Sequence, residues 1–374
     1  MHLRPKTALI RVVLFLFGVA VPLVIIELIF IGTSLMSETP PSYQRIHSLA
    51  FLDTQGAPAL PPHASGWHIS YDGGPDLVVK LNSLGLPGPE PQVHAEHKVA
   101  FIGDSIVFNG GVPWEKSFLG LTTRALSEKT TQSWNLFNFG FNDGNFETAL
   151  RTLESQVLPL KPDEIVFGVY LNDASGLIRP ELGGAYSTLP DSREAIVSRS
   201  HTMRYLHYLL TRFDAIQQYR LNKTAITDRT RFTWSERFLK KTYRTDPQDL
   251  QLLIEEASND WGAAWKKPFW DFAEAYLKKM KRLAESINAS FSVILFPVSP
   301  QVEAQEPVEN LFYPQEKMKK LALEIQIPFI DPLPQLIAHR GEDLFADQCH
   351  YTSRGNEILS EVLVPYFLDT YRTE

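Results

Sequence analysis

A serine, an aspartate and a histidine are spaced so that they could form a nucleophilic catalytic centre. Ser105 ends the segment 101–105, Phe-Ile-Gly-Asp-Ser, which predicts a tight strand-to-helix turn with the hydroxyl exposed beside backbone amides. Asp347 stands three residues before His350, where a carboxylate can orient one imidazole nitrogen while the other faces a nucleophile. Each motif is common by itself, so the prediction rests on their joint placement.

Two further segments contain hydrogen-bond donors suited to a negatively charged oxygen. Asn172 ends a predicted strand and could donate its side-chain amide to a developing oxyanion. Gly140 and Gly144 follow the preceding predicted strand, where a glycine amide could donate in the same way. The structural alternative for both segments is an ordinary turn between a strand and a helix.

Short buried strands alternate with helices from Lys98 onward, and this alternation predicts an open α/β sheet. Most of the strands are nearly continuous apolar runs, as expected of parallel strands covered on both faces. The predicted strands are Val99–Ile102, Trp134–Phe139, Glu164–Leu171, Phe291–Phe296 and Pro328–Ile330. The predicted helices between them are Phe118–Lys129, Asn145–Val157, Pro268–Ile287 and Gln315–Ile325. The candidate residues therefore gather at the carboxyl ends of strands, where such sheets bind ligands.

A long interval separates the third strand from the fourth. The 95 residues between Asn172 and Pro268 are predicted to form a helical insertion, at about 174–267, that follows the ligand-binding end of the sheet. Its predicted helices are His201–Gln218, Trp234–Tyr243 and Asp249–Ser258. The insertion is either a decoration or a lid that shapes a substrate cleft, and tryptophans at 234, 261, 265 and 270 weigh slightly toward the lid.

Taken in order, these segments resemble the SGNH (GDSL-like) hydrolase family, from Val99 to Phe367. The shared order is a serine block, a glycine, an asparagine and an Asp-x-x-His pair. Further similarity lies at 296–297 (Phe-Pro), 327–331 (Ile-Pro-Phe-Ile-Asp), 110–115 (Gly-Gly-Val-Pro-Trp-Glu) and 81–85 (Leu-Asn-Ser-Leu-Gly), the last typical of membrane-anchored bacterial members. The resemblance implies a three-layer α/β/α fold with a parallel five-stranded sheet of flavodoxin-like order.

The resemblance also implies a role for each catalytic candidate. Ser105 would be the nucleophile, and its amide would form part of the oxyanion hole. His350 would act as base and then as acid, and Asp347 would orient it. Asn172 would be the side-chain oxyanion donor.

The glycine of the oxyanion hole is where the chain departs from the family. The position that carries the family's glycine donor is Asp143 here. Either Gly144 donates after a shift of one residue, or the amide of Asp143 does. Gly140 matches a second glycine of the family with a more structural role.

The N-terminal segment predicts a membrane anchor. Val12–Ile31 is a run of twenty mostly apolar residues, the length that crosses a hydrocarbon core of about 30 Å. Basic residues at 4, 6 and 11 precede it and none occurs in 34–44, so the positive-inside rule leaves the N-terminus in the cytoplasm. A cleaved signal peptide with a weak site at 32–34 is the alternative.

The expected arrangement is a single pass through the inner membrane with the catalytic domain in the periplasm or outside the cell. Residues 1–37 would form the cytoplasmic end and the anchor, 38–97 a stalk and loop-rich preamble, and 98–374 the hydrolase domain. Glu27, near the outer end of the apolar run, would reach the interface or contact a membrane partner.

Composition excludes several other classes of protein. The chain has 374 residues, 44% hydrophobic and 21% charged, as in an ordinary globular protein. Its 36 basic and 43 acidic residues give a net charge of −7, unlike a general nucleic-acid binder. Cys349 is the only cysteine, so neither an intramolecular disulfide nor a cysteine-based zinc site can form. Its side chain is expected to point away from His350, and no metal or cofactor is expected.

The expected activity is metal-free hydrolysis of acyl esters through an acyl-enzyme. Location and resemblance together make O-acetylated glycans a natural substrate class outside the cytoplasm. One alternative is an O-acyltransferase that modifies an extracytoplasmic polysaccharide, with a membrane-embedded partner supplying the acyl group. The other is a non-catalytic assembly or polysaccharide-binding factor, against which the intact Ser105, Asn172, Asp347 and His350 argue.

Overall fold

The computed structural model describes residues 18, 20–29, 46–73, 76–92, 94–174, 177 and 235–372. Residues 20–29 of the predicted span Val12–Ile31 are helical, and apart from Gly18 the rest of that span lies outside the described residues. Within the described ranges, no helix is both long and apolar enough to cross a membrane. The anchor remains a prediction. The predicted helix His201–Gln218 also lies outside the described residues.

Five parallel strands form the central sheet. In chain order the strands of the described residues are β1 (Phe51–Leu52), β2 (Pro58–Ala59), β3 (Ser65–His68), β4 (Leu77–Lys80), β5 (His97–Gly103), β6 (Trp134–Gly140), β7 (Glu164–Tyr170), β8 (Ser290–Phe296) and β9 (Phe329–Ile330). The central sheet has the order β6-β5-β7-β8-β9, and every neighbouring pair is parallel. Counted within the sheet, this is the flavodoxin-like order 2-1-3-4-5, so the predicted sheet is confirmed.

Helices cover both faces of this sheet. In the described residues they are α1 (Ser105–Phe108), α2 (Phe118–Lys129), α3 (Phe146–Thr152), α4 (Glu236–Leu239), α5 (Pro247–Glu256), α6 (Lys267–Ser286), α7 (Ser299–Glu303), α8 (Tyr313–Ile325), α9 (Leu333–Ala338) and α10 (Ser353–Thr370). Connections between parallel strands are right-handed, so α2 lies on one face and α3, α6 and α8, which lead the chain the other way, lie on the opposite face. The observed contacts of α10 with α2, and of α6 with α3 and α8, complete the predicted three layers.

Three glycines form a flat row at the carboxyl ends of the central strands. Gly103 of β5 is in register with Gly140 of β6 and with Gly168 of β7. A Cβ at Gly140 would overlap the backbone nitrogen of Phe108, and a Cβ at Gly103 or Gly168 would lie 2.5 Å from a methyl carbon of Val107. The row therefore allows α1 to pack directly on the strand ends, which no larger side chain there would permit.

The described part of the segment before the sheet packs against the α/β domain. It forms two small antiparallel sheets, β1–β2 and β3–β4. Ile46, Leu60 and Leu81 from this segment form a buried cluster with Phe108 and Phe141 of the domain. Residues 46–73 and 76–92, predicted as part of a stalk and preamble, thus contribute to the surface beside α1.

Of the insertion, the structure describes residues 174, 177 and 235–267, and it contains α4 and α5 where two helices were predicted. Trp261 and Trp270 are buried in the core. Trp265 and Trp270 donate their indole N–H groups to backbone carbonyls at 2.9 and 2.8 Å. These tryptophans stabilise packing, so their presence does not favour a lid. Trp234 lies outside the described residues.

Candidate active site

Ser105 is the first residue of α1, directly after β5. Asp104 caps this turn, because its Oδ1 accepts a hydrogen bond from the backbone nitrogen of Ile106 at 2.9 Å. The turn ends at Asn109, whose φ of 52° is in the left-handed region. The Ser105 N–H lies in the first turn of the helix, where amides have no intrahelical acceptor. Both its hydroxyl and its amide are therefore presented at the edge of the sheet.

The loop that precedes α10 carries Asp347 and His350. The Asp347 Oδ1 accepts hydrogen bonds from the backbone nitrogens of Cys349 at 2.9 Å and His350 at 2.8 Å, which folds the loop into an Asx turn. The backbone nitrogen of Ser299, which follows β8, donates to the Gln348 carbonyl at 2.8 Å. The turn is thereby held against the carboxyl end of the sheet.

Ser105, His350 and Asp347 lie in contact in the described structure. The His350 Nδ1 is 2.7 Å from the Asp347 Oδ2, and its Nε2 is 3.0 Å from the Ser105 Oγ. Burial tends to raise the pKa of Asp347, but the charge and hydrogen bonds of His350 outweigh it and hold that pKa at about 2. An ionised carboxylate only accepts hydrogen bonds, so Nδ1 carries a proton and Nε2 accepts from the serine hydroxyl. This is the orientation that a nucleophilic serine requires.

Several carboxyl groups determine the proton affinity of His350. Burial tends to lower its pKa, but the charge and hydrogen bond of Asp347 raise that pKa above the ordinary value of 6.5, and Asp104 and Asp143 act in the same direction. Burial raises the pKa of Asp104 itself to about 7. Burial, together with Asp104, also raises the pKa of Asp173 well above its ordinary value. Among these carboxyl groups, Asp347 has the largest effect on the protonation of His350.

Asn172 lies at the same edge of the sheet, two residues after the end of β7. It is half-buried, and its Nδ2 donates a hydrogen bond to the Asp260 Oδ1 at 2.8 Å. A primary amide has two N–H groups, so one bond to Asp260 orients the group and leaves the second N–H for a ligand. The position is consistent with donation to an oxyanion.

The two glycine amides predicted as oxyanion donors are already engaged within the chain. Gly140 donates its N–H to the Asn138 Oδ1 at 2.9 Å. Gly144 donates its N–H to the Phe141 carbonyl at 3.0 Å. Gly140 also provides space for α1, because a Cβ there would overlap the backbone of Phe108. The alternative amide, that of Asp143, stays a prediction.

Cys349 lies closer to His350 than predicted. Its Sγ is 3.5 Å from the His350 Nδ1, on the side of the ring that Asp347 occupies, whereas the expectation was a side chain pointing away. Burial, with the charge of Asp347 in addition, raises the pKa of the thiol well above its usual range, which disfavours a thiolate nucleophile.

Asp347, Cys349 and His350 form the group of potential metal ligands found in the described part of the chain, with ligand atoms within 4.8 Å of one another. Asp347 and His350 already hydrogen-bond each other. A protonated Cys349 thiol is a poor ligand, because metals bind the thiolate. The donor set therefore fits a triad better than a metal centre.

Asn356, a buried residue of α10, was missed by reasoning from the sequence. Its Oδ1 accepts from the side chain of Asn109, at the end of α1. Its Nδ2 donates to the carbonyls of Tyr351 at 3.1 Å and Thr352 at 2.9 Å, next to His350. Asn356 thus joins the turn of the serine to the loop of the histidine. A polar residue inside an apolar helical pattern was the available sign.

No family model matches the chain, and a search of curated proteins gives no match. Among solved structures, a variant of an acetyl xylan esterase from Geobacillus stearothermophilus is similar, with 12% identity, a TM-score of 0.42, and coverage of 72% of this chain and 94% of that one. A lipase/acylhydrolase from Enterococcus faecalis is also similar, with 15% identity and a TM-score of 0.41. The match covers 73% of this chain and 96% of that one. Likeness at this level carries no argument about activity, so the functional inference rests on the site itself.

Proposed function

We propose that this protein is a serine esterase that forms an acyl-enzyme on Ser105. The observation that carries the proposal is the His350 ring, bonded at one nitrogen to Asp347 at 2.7 Å and at the other to Ser105 at 3.0 Å. This contact joins residues 245 positions apart in the chain. A chance surface pair would not align a third polar group at the first residue of a helix.

The reaction follows from the protonation states of the site. As the Ser105 oxygen attacks the ester carbonyl, its proton passes to the His350 Nε2, and Asp347 stabilises the imidazolium through Nδ1. The Ser105 amide and the second N–H of Asn172 donate to the oxyanion. Collapse of the tetrahedral intermediate breaks the ester bond, and His350 returns the proton to the leaving alcohol. Water then gives a proton to the His350 Nε2 as its oxygen attacks the acyl-enzyme. Collapse of the second tetrahedral intermediate breaks the bond to the Ser105 oxygen, which takes the proton back from His350 as the acid is released.

The substrate class is part of the same proposal. Small O-acyl esters, O-acetyl groups of glycans first among them, are proposed on the predicted export of the domain and on the family resemblance of its motifs. The predicted N-terminal anchor would keep the enzyme at the membrane surface, where it would meet wall or secreted polysaccharides.

The proposal is tested with the purified full-length protein and its Ser105→Ala variant. Turnover of p-nitrophenyl acetate and of an acetylated oligosaccharide is measured together with labelling by a fluorophosphonate. Ser127→Ala is the matched control, because Ser127 is an exposed serine on α2. We expect turnover and labelling to disappear in Ser105→Ala and to persist in the control.

Other results would change the assignment. Labelling of Ser105 without hydrolysis, together with acyl transfer to an added sugar, would identify a transferase instead. Absence of labelling and turnover from the folded wild-type protein would overturn the catalytic proposal.

A further inference from the structure

Tyr71 reaches the candidate active site from the segment that precedes the α/β domain. Its ring is stacked on that of His350, with centroids 4.8 Å apart and planes inclined by 27°. Only 9% of Tyr71 is exposed, and its backbone nitrogen donates to the Gly111 carbonyl at 2.7 Å. A Cβ at Gly111 would overlap the Tyr71 ring. The tyrosine is therefore held against one face of the imidazole by the loop that follows α1.

The neighbours of Tyr71 restrict its movement further. Asp72 accepts hydrogen bonds from the backbone nitrogen of Ser353 at 2.6 Å and from the Ser353 hydroxyl. Ser353 begins α10, three residues after His350, and a helix N-terminus favours a carboxylate. The ring of His68 packs edge-on against Tyr71, with centroids 5.3 Å apart. The loop 68–72 is thereby attached to the element that carries the histidine.

We infer that Tyr71 is a positioning residue for His350, which holds the plane of the imidazole and stabilises its protonated form. The inference rests on the proposed esterase mechanism. Both nitrogens of His350 are already used, by Asp347 and by Ser105, so an additional group can act only on a ring face. The face of an aromatic ring is negative and attracts a cation. The imidazolium that forms when Ser105 loses its proton therefore lies against a complementary surface.

The ring of Tyr71, and not its ionisation, supplies this effect. Burial, with the charges of Asp347, Cys349 and Asp104 in addition, raises the pKa of Tyr71 well above its usual value, so the phenol stays neutral. The charged groups that face His350 are Asp347 on its own loop, Asp104 at the cap of α1 and Asp143 after β6, and none of them is altered by replacing Tyr71. A phenylalanine at position 71 should consequently preserve the effect on His350, because it keeps the aromatic ring, whereas a leucine should not.

The test compares Tyr71→Phe and Tyr71→Leu in the full-length protein. Tyr276→Leu is the matched control, because Tyr276 stacks on Phe146 in the same way, with centroids 5.8 Å apart, but outside the site. The pKa of His350 is measured by NMR of ring-labelled histidines, assigned with His350→Gln, and the rate of fluorophosphonate labelling is measured in parallel. We expect Tyr71→Leu to lower the His350 pKa by about 0.5–1 unit and to slow labelling about tenfold. Tyr71→Phe and Tyr276→Leu should change neither value.

Each other outcome is decisive. An unchanged His350 pKa and labelling rate in Tyr71→Leu, or equal losses in Tyr276→Leu, would overturn the inference. If Ser105 in the wild-type protein does not react, the esterase proposal fails, and the NMR titration still decides the role of Tyr71. If thermal melting shows that Tyr71→Leu does not fold, Asp72→Ala replaces it, because loss of the contacts with Ser353 should loosen the stacked ring. Asp72→Ala should then lower the His350 pKa, and no change would overturn the inference.

Discussion

The side-chain amide of Asn172 donates a hydrogen bond to the carboxylate of Asp260, across 2.8 Å and 88 positions in the chain. Asn172 lies two residues after the end of β7, whereas Asp260 lies near the end of the insertion, immediately before the 3-10 turn Trp261–Trp265. The insertion is thereby connected to the proposed oxyanion donor. Asp260 thus fixes the orientation of the Asn172 amide.

Loss of this contact should reduce turnover without weakening substrate binding. In Asp260→Ala the Asn172 amide is no longer oriented, and we expect kcat to fall about tenfold with KM little changed, compared with about 10²–10³ for Asn172→Ala. Asp260→Asn, which keeps an acceptor oxygen, should retain most of the activity. Steady-state kinetics with p-nitrophenyl acetate measures all three variants. If the effects of Asp260→Ala and Asn172→Ala on kcat are fully additive in the variant that carries both substitutions, the two residues are not coupled.

The rate should depend on the protonation of His350 on the acid side. His350 acts as a base only when neutral, and its pKa is raised above the ordinary 6.5 by Asp347 despite burial. The value of kcat/KM should therefore decrease as the pH falls through a pKa above 6.5. Asp347, with a pKa of about 2, stays ionised throughout and adds no step of its own. A pH–rate profile from pH 4 to 9 would argue against the assignment if it were flat above about pH 5.

Asn356 should be required to hold Ser105 and His350 at hydrogen-bonding distance. Asn356→Ala removes the hydrogen bonds that join Asn109 to the loop of Tyr351 and Thr352, and leaves buried partners unsatisfied. We expect a loss of about 2–4 kcal/mol in the free energy of unfolding. Labelling of Ser105 should also slow in the molecules that remain folded. Urea unfolding and fluorophosphonate kinetics measure the two effects, and a destabilised variant that labels at the wild-type rate would show that Asn356 only stabilises the fold.

Gly140→Ala should separate a packing role from an oxyanion role. The new Cβ would overlap the backbone nitrogen of Phe108 and lift α1 from the sheet, so we expect a loss of about 1–3 kcal/mol of stability. Gly144→Ala, whose Cβ would approach the Phe141 carbonyl oxygen at 3.0 Å, should cost less. Urea unfolding measures both, and equal stability of Gly140→Ala and the wild-type protein would exclude the packing role.

Reasoning from the sequence located most of the sheet and named three residues, Ser105, Asp347 and His350, that the structure brings into contact. It missed contacts that depend on the packing of distant segments. The turn at Ser105 was predictable because an apolar strand and Gly-Asp-Ser are adjacent in the chain, and the pairing of Asp347 with His350 because they are three residues apart. The acceptors of the Gly140 and Gly144 N–H groups could not be predicted from the sequence, since these hydrogen bonds depend on the path of the folded loop. The tryptophans of the insertion weighed slightly toward a lid in the sequence, whereas Trp261 and Trp270 are buried in the core.

What the sequence by itself determined is therefore the alternation of strands and helices, the order of the chemical motifs and the edge of the sheet at which they meet. These follow from apolar periodicity and from the rule that parallel strands end on one side. Only the tertiary structure decided which residues support the triad. Tyr71, Asp260 and Asn356 belong to segments with no motif of their own, and the Asp72–Ser353 contact that holds the tyrosine loop spans 281 positions. Such contacts are set by the way whole elements pack, which no local pattern of residues encodes.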